Sequence, residues 1–344
     1  LNAITDVPGV LVGQTTVVRG DSIRTGVTAI LPHGGNVYRD RVPAALYVIN
    51  GFGKLVGSTQ LRELGELETP ILLTCTLCVW KAADAMAAYL LAQPGMETVR
   101  SINPVVGETN DSYLNAIRGR PISADDVVGA LTGARAGPVA EGSVGAGTGT
   151  STLGWKGGIG TSSRRVRVGD STWTVGVLVQ TNFGGSGDLI LMGVPVGRLL
   201  GRDGVTGVEA PKGPTGSIMI VVATDAPLSD RNLERLAARA TIGLGRTGAT
   251  AGNGSGDYVL AFSTNAAVRR PAGAPMLPSA ALGNDAMNPL FAGVIEATEE
   301  AIDNALFAAT TVTGNGHTVE ALPVGEVLRL LGERNALAET QRSP

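Results

Sequence analysis

The sequence predicts a mixed α and β protein in which helices cover β-sheets. Two patterns carry this prediction: uninterrupted apolar runs of strand length, and longer segments whose apolar residues recur every three or four positions. Glycine adds a third observation, because it supplies 49 of the 344 residues, well above the usual share of ~7%. Its short clusters lie between the strand-like runs, which indicates many tight turns and close approaches of the backbone. The pattern leaves open whether the sheets are parallel or antiparallel.

The first half of the chain alternates short strands with helices. Apolar runs predict buried strands at residues 27–31, 44–49 and 70–76, and an Ala- and Leu-rich segment predicts a helix at 82–92. Ser123, Asp125 and Asp126 begin a second helix that runs to Leu131, since acidic side chains favour the positive end of a helix dipole. Residues 141–159 are rich in glycine and are predicted to form a loop.

The second half carries the clearest patterns. Residues 173–180 and 217–224 are continuous apolar strands, which predicts that both of their faces are covered, and 258–263 is a third buried strand. Residues 266–287 are rich in Pro, Ala and Gly and predict a surface loop. Ser229 caps one helix and the pair Asn288-Pro289 starts another. Helical spacing gives the first helix an apolar face of Leu233, Leu236, Ala237 and Ala240, and the second one of Phe291, Val294, Ile295, Thr298, Ala301, Ile302 and Ala305.

Composition excludes several classes of protein. The net charge is −3 and the 27 basic residues form no stripe, which argues against nucleic-acid binding. No apolar stretch reaches the ~18 residues of a membrane helix. Two cysteines exclude a disulfide framework, and two histidines limit His-rich metal sites. The start, Leu1-Asn2-Ala3, lacks the basic and apolar regions of a signal peptide, so the cytoplasm is the default compartment. A signal peptide that had already been removed would instead indicate the periplasm.

Ser255 is the strongest candidate for a nucleophile. It lies in the Gly-rich stretch 252–257, directly before a buried strand; an ordinary helix-to-strand turn is the alternative interpretation. A nucleophilic serine needs a base, and neither His33 nor His317 has a recognisable triad context. If the Gly254–Ser255 bond is cut, the new α-amine of Ser255, with an ordinary pKa of ~7.7–8.0, can serve as that base.

Several sequence blocks then occur in a family-specific order: TDVPGV, GPVAEGSVGAGTGT, GWKGGIGTSSR, VGVLVQTNFG, VVATDAPL and GNGSGDYVLAFST. In these blocks the chain resembles the L-aminopeptidase/D-esterase and β-peptidyl aminopeptidase family, peptidase family S58. The resemblance implies a self-processing N-terminal-nucleophile (Ntn) hydrolase with an α+β fold, a four-layer αββα sandwich. It further implies a single domain, 1–344, that divides itself into an α-chain, 1–254, and a β-chain, 255–344.

The same resemblance assigns roles to individual residues. Ser255 matches the nucleophile, and Gly254–Ser255 matches the autocleavage bond. Asn182 matches an oxyanion-hole amide, with a turn asparagine as the alternative, and Glu141 matches the carboxylate that binds the substrate's free amine. The implied substrate is a small peptide or amide, and the mechanism requires no metal and no organic cofactor. The proton-relay partners stay open among Thr298, Glu300, Thr310 and Thr311.

Other residues have less specific interpretations. Lys156 is either an ordinary turn lysine or a charge near the site that steadies the cleavage loop or lowers the pKa of the Ser255 amine. Cys75, Cys78 and Lys54 depart from the family pattern, which bears on substrate preference more than on the reaction. The CxxC spacing of the two cysteines is also that of a redox motif or of half a zinc site. Because the chain has no second pair and few histidines, we expect buried free thiols instead. The run GSVGAGTG lacks the strand–loop–helix context of a phosphate-binding loop, so nucleotide binding is not expected.

Three alternative functions stay open. The same machinery could serve as an amidase or esterase for ω-amino-acid oligomers, or the chain could be an acyltransferase of the ornithine-acetyltransferase type, although that type uses threonine as its nucleophile. The third alternative is an unprocessed binding protein. The resemblance also implies a homo-oligomer, a tetramer of αβ protomers with two-fold axes.

Overall fold

A computed structural model describes residues 1–201, 216–277 and 280–340. The strands are β1 Leu11–Arg19, β2 Ile23–Leu31, β3 Asp40–Gly51, β4 Glu66–Leu67, β5 Ile71–Cys75, β6 Val105–Thr109, β7 Ser151–Thr152, β8 Trp155–Lys156, β9 Ile159–Val168, β10 Ser171–Asn182, β11 Ser217–Thr224, β12 Gly256–Ser263, β13 Arg270–Pro271, β14 Val312–Gly314 and β15 His317–Val319. The helices are α1 Ser58–Leu64, α2 Val79–Leu91, α3 Ala124–Thr132, α4 Val196–Leu199, α5 Asp230–Arg246, α6 Asn288–Phe307 and α7 Val324–Thr340.

Two mixed sheets form the centre of the fold. The smaller sheet has the strand order β1-β2-β5-β6, and only its β5–β6 pair is parallel. The larger sheet has the order β13-β3-β12-β11-β10-β9, with β4 also paired to β3. In this sheet β11 and β12 run parallel, while the other pairs are antiparallel. The sequence left open whether the strands pair parallel or antiparallel, and the structure contains both kinds of pairing.

The two sheets pack face to face between helices, which gives four layers in the order αββα. Alternate residues of the central strands contribute to two different cores, because successive side chains of a strand point to opposite faces of the sheet. On β11, Val221 belongs to the core between the sheets, whereas Val222 belongs to the outer core that α5 and α6 cover. A third core joins the smaller sheet to α2 and α3. The predicted α+β class and αββα layering are confirmed.

Most predicted elements are confirmed, with boundary changes. The Ser123 and Ser229 side chains accept hydrogen bonds from the backbone N–H groups of Asp126 and Asn232, as N-caps do. Asn288, by contrast, is already the first helical residue of α6, and Met287 is its cap. Residues 141–159 are not only loop, since they hold a short 3-10 turn and the β7–β8 hairpin. Within the predicted loop 266–287, residues 278 and 279 lie outside the described residues.

The expectation of free thiols is wrong, because Cys75 and Cys78 form a disulfide. Cys75 ends β5, and a 3-10 turn follows it at once. The turn brings the two Cα atoms to 5.1 Å, within the range of roughly 4.4–6.8 Å that a disulfide spans. Both cysteines are buried. The CxxC spacing therefore gives a cross-link inside the smaller sheet's core.

One end of the larger sheet brings the candidate residues together. Asn182, the last residue of β10, is in register with Ser217 on β11, and Ser217 with Gly256 on β12. Gly256 is in turn paired with Gly51 at the end of β3. Ser255 thus lies at the head of a central strand, where loops from four strands converge.

Candidate active site

Ser255 is buried at the start of β12, with 3% of its surface exposed. Its backbone N–H donates to the Gly252 carbonyl at 2.9 Å, which closes the preceding turn. Ala251, just before this turn, has a φ of 45°, in the left-handed region that is strained for a side-chain-bearing residue. A Cβ on Gly256 would lie 2.8 Å from the Gly53 Cα, so only glycine fits after Ser255. The glycine that follows Ser255 therefore allows the backbone of β12 to approach the backbone of the segment after β3 closely.

The Ser255 hydroxyl has a carboxylate partner. It donates to Asp257 Oδ1 at 2.6 Å. Asp257 is 1% exposed, and its Oδ2 is buried without a hydrogen bond within the described part of the chain. Burial raises the pKa of this carboxyl, while the hydrogen bond from Ser255 and the Ile218 N–H lower it. Sequence reasoning missed Asp257, although its position two residues beyond Ser255 puts both side chains on one face of the strand.

The backbone of the cleavage segment is held from β3. The Asn50 side-chain amide donates to the carbonyls of Gly252 and Asn253 at 3.1 Å, and to that of Ser255 at 2.5 Å. The Phe52 N–H also donates to the Ser255 carbonyl, at 3.1 Å. One amide therefore binds carbonyls on both sides of the Gly254–Ser255 bond. The sequence singles out Lys54, four residues after Asn50, as a departure from the family pattern, but it does not assign Asn50 this contact.

Asn182 lies in the same row of residues but does not contact Ser255. Adjacent strands are ~4.8 Å apart, so two strand spacings place its Cα about 10 Å from that of Gly256, with Ser217 between them. Its amide donates to the Asn110 carbonyl at 3.0 Å, and its oxygen accepts from the Ser151 N–H at 3.1 Å. Its role as an oxyanion donor stays a prediction.

Glu141 lies on the far side of the larger sheet. Its carboxylate accepts from the Thr161 N–H at 2.8 Å, and burial raises its pKa. Thr161 is three strands away from β12, in register with Leu260. With spacings of ~4.8 Å across strands and ~3.3 Å along them, this separates Glu141 from Ser255 by about 14 Å across and 16 Å along the sheet. Within one protomer the structure does not bring the two residues together, and the amine-binding role of Glu141 stays a prediction.

Glu108, on β6, is a carboxylate that the sequence analysis overlooked. It is buried, and it accepts hydrogen bonds from the Thr76 hydroxyl and, at 2.9 Å, from the Lys54 N–H. The half-exposed Lys54 ammonium lies 3.8 Å from it. Only Gly53 separates Lys54 from Phe52, the residue that holds Ser255. The two segments that depart from the family pattern therefore meet at one carboxylate, Glu108.

Lys156 differs from both of its interpretations. It is fully buried, and its ammonium donates to the carbonyls of Gly147 at 2.8 Å and Gly157 at 2.6 Å. Burial lowers its pKa to about 7, and the nearby Asp111, itself fully buried, has a pKa raised to about 7. Lys156 thus holds glycine-rich backbone and does not contact the cleavage turn.

The four candidate proton-relay residues make contacts elsewhere. The Thr298 hydroxyl bonds its own helix at Val294, and Glu300 pairs with Arg164. The Thr311 hydroxyl accepts from Ala321 N–H, and the Thr310 N–H donates to Ser143. Within the described ranges, no group of three or more His, Cys, Asp or Glu residues could hold a metal ion, and no helix is long and apolar enough to cross a membrane.

An αββα sandwich with a serine at the head of a central strand defines a class, that of the Ntn hydrolases. The structure aligns with the L-aminopeptidase D-Ala-esterase/amidase of Ochrobactrum anthropi, described as a prototype serine aminopeptidase with a variant Ntn-hydrolase fold, at a TM-score of 0.87 and 36% identity over 96% of this chain and 94% of that one. It aligns with a β-aminopeptidase from Burkholderia sp. at a TM-score of 0.89 and 42% identity, over 96% and 94%.

The sequence narrows the class to one family. The model of peptidase family S58 matches residues 2–319. The chain is 44% identical to the β-peptidyl aminopeptidase BapA of Sphingosinicella xenopeptidilytica, over 97% of this chain and 88% of that protein. The chain belongs to peptidase family S58 and is an aminopeptidase.

Proposed function

We propose that the chain is a precursor that cuts its own Gly254–Ser255 bond and then acts as an N-terminal-nucleophile aminopeptidase. The observation that carries the proposal is the buried hydroxyl of Ser255 at the head of β12, directly after a Gly-rich turn. Cleavage yields the chains 1–254 and 255–344, and Ser255 becomes an N-terminal residue.

In the processed enzyme the Ser255 α-amine acts as the base. It removes the proton from the Ser255 hydroxyl, which attacks the carbonyl carbon of the substrate's first residue. The leaving amine takes the proton, and water then hydrolyses the acyl-enzyme. The contacts of the Ser255 carbonyl with Asn50 and Phe52 involve no atom of the scissile bond. These contacts keep the new terminus in place after cleavage.

The proposed substrates are small peptides or amides whose first residue is a β-amino acid. The support is the similarity to the β-peptidyl aminopeptidase and the β-aminopeptidase described above. Phe52 adds local support, because its side chain is 66% exposed while its backbone holds Ser255. Its ring offers apolar surface for the side chain of the substrate's first residue.

The proposed anchor for the substrate's free amine is Glu108. It is the buried carboxylate nearest to the Phe52–Lys54 segment, and its 3.8 Å contact with the Lys54 ammonium is loose. A substrate ammonium can replace Lys54 as the cation beside Glu108. The assignment given by the resemblance, Glu141, is the competing candidate.

Assembly and compartment are also proposals. A homotetramer of αβ protomers is supported by the resemblance and by a net charge of −3, which opposes association little. The Cys75–Cys78 disulfide favours the periplasm over the cytoplasm, because disulfides persist in oxidising compartments.

Intact-mass analysis combined with a substrate panel tests the function. We expect two fragments, the smaller beginning at Ser255, and faster hydrolysis of β-alanyl and β-homoamino-acyl p-nitroanilides than of the matching L- and D-compounds. The same p-nitroanilides, offered together with an added amine, test for acyl transfer, since transfer would release p-nitroaniline and form a new amide with the added amine. A wild-type chain that stays intact while hydrolysing these amides would exclude the proposed nucleophile.

A further inference from the structure

The proposed α-amine base does not exist before cleavage. In the precursor the Ser255 nitrogen belongs to a peptide bond, and its N–H donates to the Gly252 carbonyl at 2.9 Å. An amide nitrogen has no basic lone pair, yet the Ser255 hydroxyl must lose a proton to attack the Gly254 carbonyl. Self-cleavage and peptide hydrolysis therefore need different bases. We propose that Asp257 is the base of the self-cleavage step, an inference that rests on the proposed function.

The geometry of β12 places Asp257 at the reacting atom. Side chains two residues apart on a strand point to the same face, and Gly256 is the residue between the two. Ser255 Oγ already donates to Asp257 Oδ1 at 2.6 Å, within the range of roughly 2.6–3.2 Å expected between a general base and the heavy atom that carries the proton. Gly256 is fixed in turn, since its N–H donates to the Gly216 carbonyl and the Ser217 hydroxyl, both at 3.2 Å.

The electrostatic setting keeps Asp257 available for a proton. Asp257 Oδ2 is buried without a hydrogen bond, and no Lys, Arg or His pairs with Asp257 among the described residues. A carboxylate with a counterion would be a weaker base. Burial raises the pKa of Asp257, which agrees with the geometry. The titratable group that interacts with Asp257 electrostatically is the adjacent Tyr258 phenol, which supplies no positive charge.

Self-cleavage through Asp257 needs no reactant other than water. As Ser255 Oγ bonds to the Gly254 carbonyl carbon, its proton passes to Asp257 Oδ1. The bond between that carbon and the Ser255 nitrogen then breaks, and the nitrogen takes the proton from Asp257. The product is an ester between Gly254 and Ser255 Oγ, next to a free α-amine. Water hydrolyses the ester and leaves a Gly254 carboxylate and the free hydroxyl.

The test follows self-cleavage of the full chain after a pulse of cell-free translation. Wild type is compared with D257N, D257E, S255A and the control D225N. Asp225 is a matched control because it follows β11 at the other end of the same sheet, where it accepts from the Thr174 N–H at 2.6 Å. We expect wild type and D225N to split into 1–254 and 255–344. D257N should split at least ~100-fold more slowly, the usual contribution of a general base, and D257E should recover part of the rate.

The outcomes separate the two proposals. If D257N splits within a few-fold of the wild-type rate, the role of Asp257 is wrong and self-cleavage stands. An intact wild type would overturn both. The substitution D257N keeps the shape of the side chain and an acceptor oxygen, so D257N and S255A precursors should melt at the same temperature. A D257N precursor that melts well below S255A, with D257E as slow as D257N, would assign Asp257 a structural role and overturn the proposal.

Discussion

The cleavage corner, formed by Asn50, Phe52, Ser255 and Asp257, contrasts with the glycine-rich segment 141–159. Both lie beside the larger sheet, and both contain buried ionisable groups. In the cleavage corner Asp257 faces a hydroxyl, and one of its oxygens accepts no hydrogen bond from any residue that the structure describes. In the glycine-rich segment the Lys156 ammonium donates to two carbonyls, and Glu141 accepts from a backbone N–H.

The hydrogen-bond partners of a buried ionisable group indicate whether the group takes part in a reaction or stabilises the backbone. A buried ionisable group that is paired with the backbone stabilises one conformation of that backbone, and removing it costs the desolvation of the partners left behind. A group that faces a hydroxyl, with hydrogen-bonding capacity left over, can take up a proton. We therefore expect substitutions in the cleavage corner to change rates, and substitutions in the glycine-rich segment to change stability.

The largest expected effect comes from Ser255→Ala. The variant should remain one chain and lose at least ~10⁴-fold in hydrolysis, because the nucleophile and the amine base vanish together. Electrophoresis and hydrolysis of a β-alanyl p-nitroanilide measure the two losses. Ser263→Ala is the control at the other end of β12, where the hydroxyl donates to the Ala226 carbonyl. S263A should cleave itself at the wild-type rate. If self-cleavage is lost in S263A as well, the loss in S255A could reflect a disturbed β12 and would not identify the nucleophile.

Glu108→Gln and Glu141→Gln test which region binds the substrate's amine. A charge-assisted hydrogen bond contributes ~1.5–3 kcal/mol, so E108Q should lower kcat/KM for free-amine substrates by about 10–150-fold. E141Q should change it by no more than a few-fold, because its carboxylate bonds Thr161 on a distant strand. Both variants should cleave themselves, since the precursor's scissile bond presents no free amine. A larger loss in E141Q would return the amine site to the glycine-rich segment.

Asn50→Ala and Asn182→Ala compare two amides at the same sheet end. Asn50 bonds three carbonyls around the scissile bond, and each such bond contributes ~1 kcal/mol. N50A should therefore slow self-cleavage by about 10–100-fold, whereas N182A should leave it within a few-fold. Rates after a translation pulse decide the matter. An N182A precursor slower than N50A would place Asn182 in the oxyanion hole of the cleavage step.

The sequence predicts features that depend on local patterns and misses contacts between residues that are far apart in the chain. Continuous apolar runs and helical patterns identify strands and helices such as β11 and α5 because burial acts on every residue of those elements. The nucleophile is recognisable because Ser255 lies in a local motif. Contacts such as that of Asn50 with the cleavage turn, or of Glu108 with Lys54, join residues far apart in the chain, so local patterns do not reveal them. The Cys75–Cys78 bond was missed for a different reason, since it depends on how tightly the turn after β5 closes.

The smallest expected effect is a change of stability with pH in the glycine-rich segment. The pKa of Lys156 falls from its ordinary 10.5 to about 7 on folding, because burial disfavours the charged form. Between these two pH values the unfolded chain binds a proton that the folded chain does not, so the free energy of unfolding rises with pH in this window. Asp111 acts below the window, since its raised pKa makes stability fall as the pH rises from about 4 to 7.

Lys156→Met should abolish the rise in stability above pH 7. Its melting temperature, measured by circular dichroism at pH 7 and pH 9.5, should fail to show the gain of several degrees that we expect of wild type, given ~2–4 °C per kcal/mol for a large domain. The control is Lys81→Met, because the Lys81 ammonium also donates to two carbonyls, Arg120 and Ile122, but at the exposed surface. K81M should keep the wild-type gain. If K156M keeps it too, Lys156 is charged in the folded protein. It would then face the ionised Asp111 carboxylate, and the glycine-rich segment, unlike the cleavage corner, would hold two opposite buried charges that balance each other.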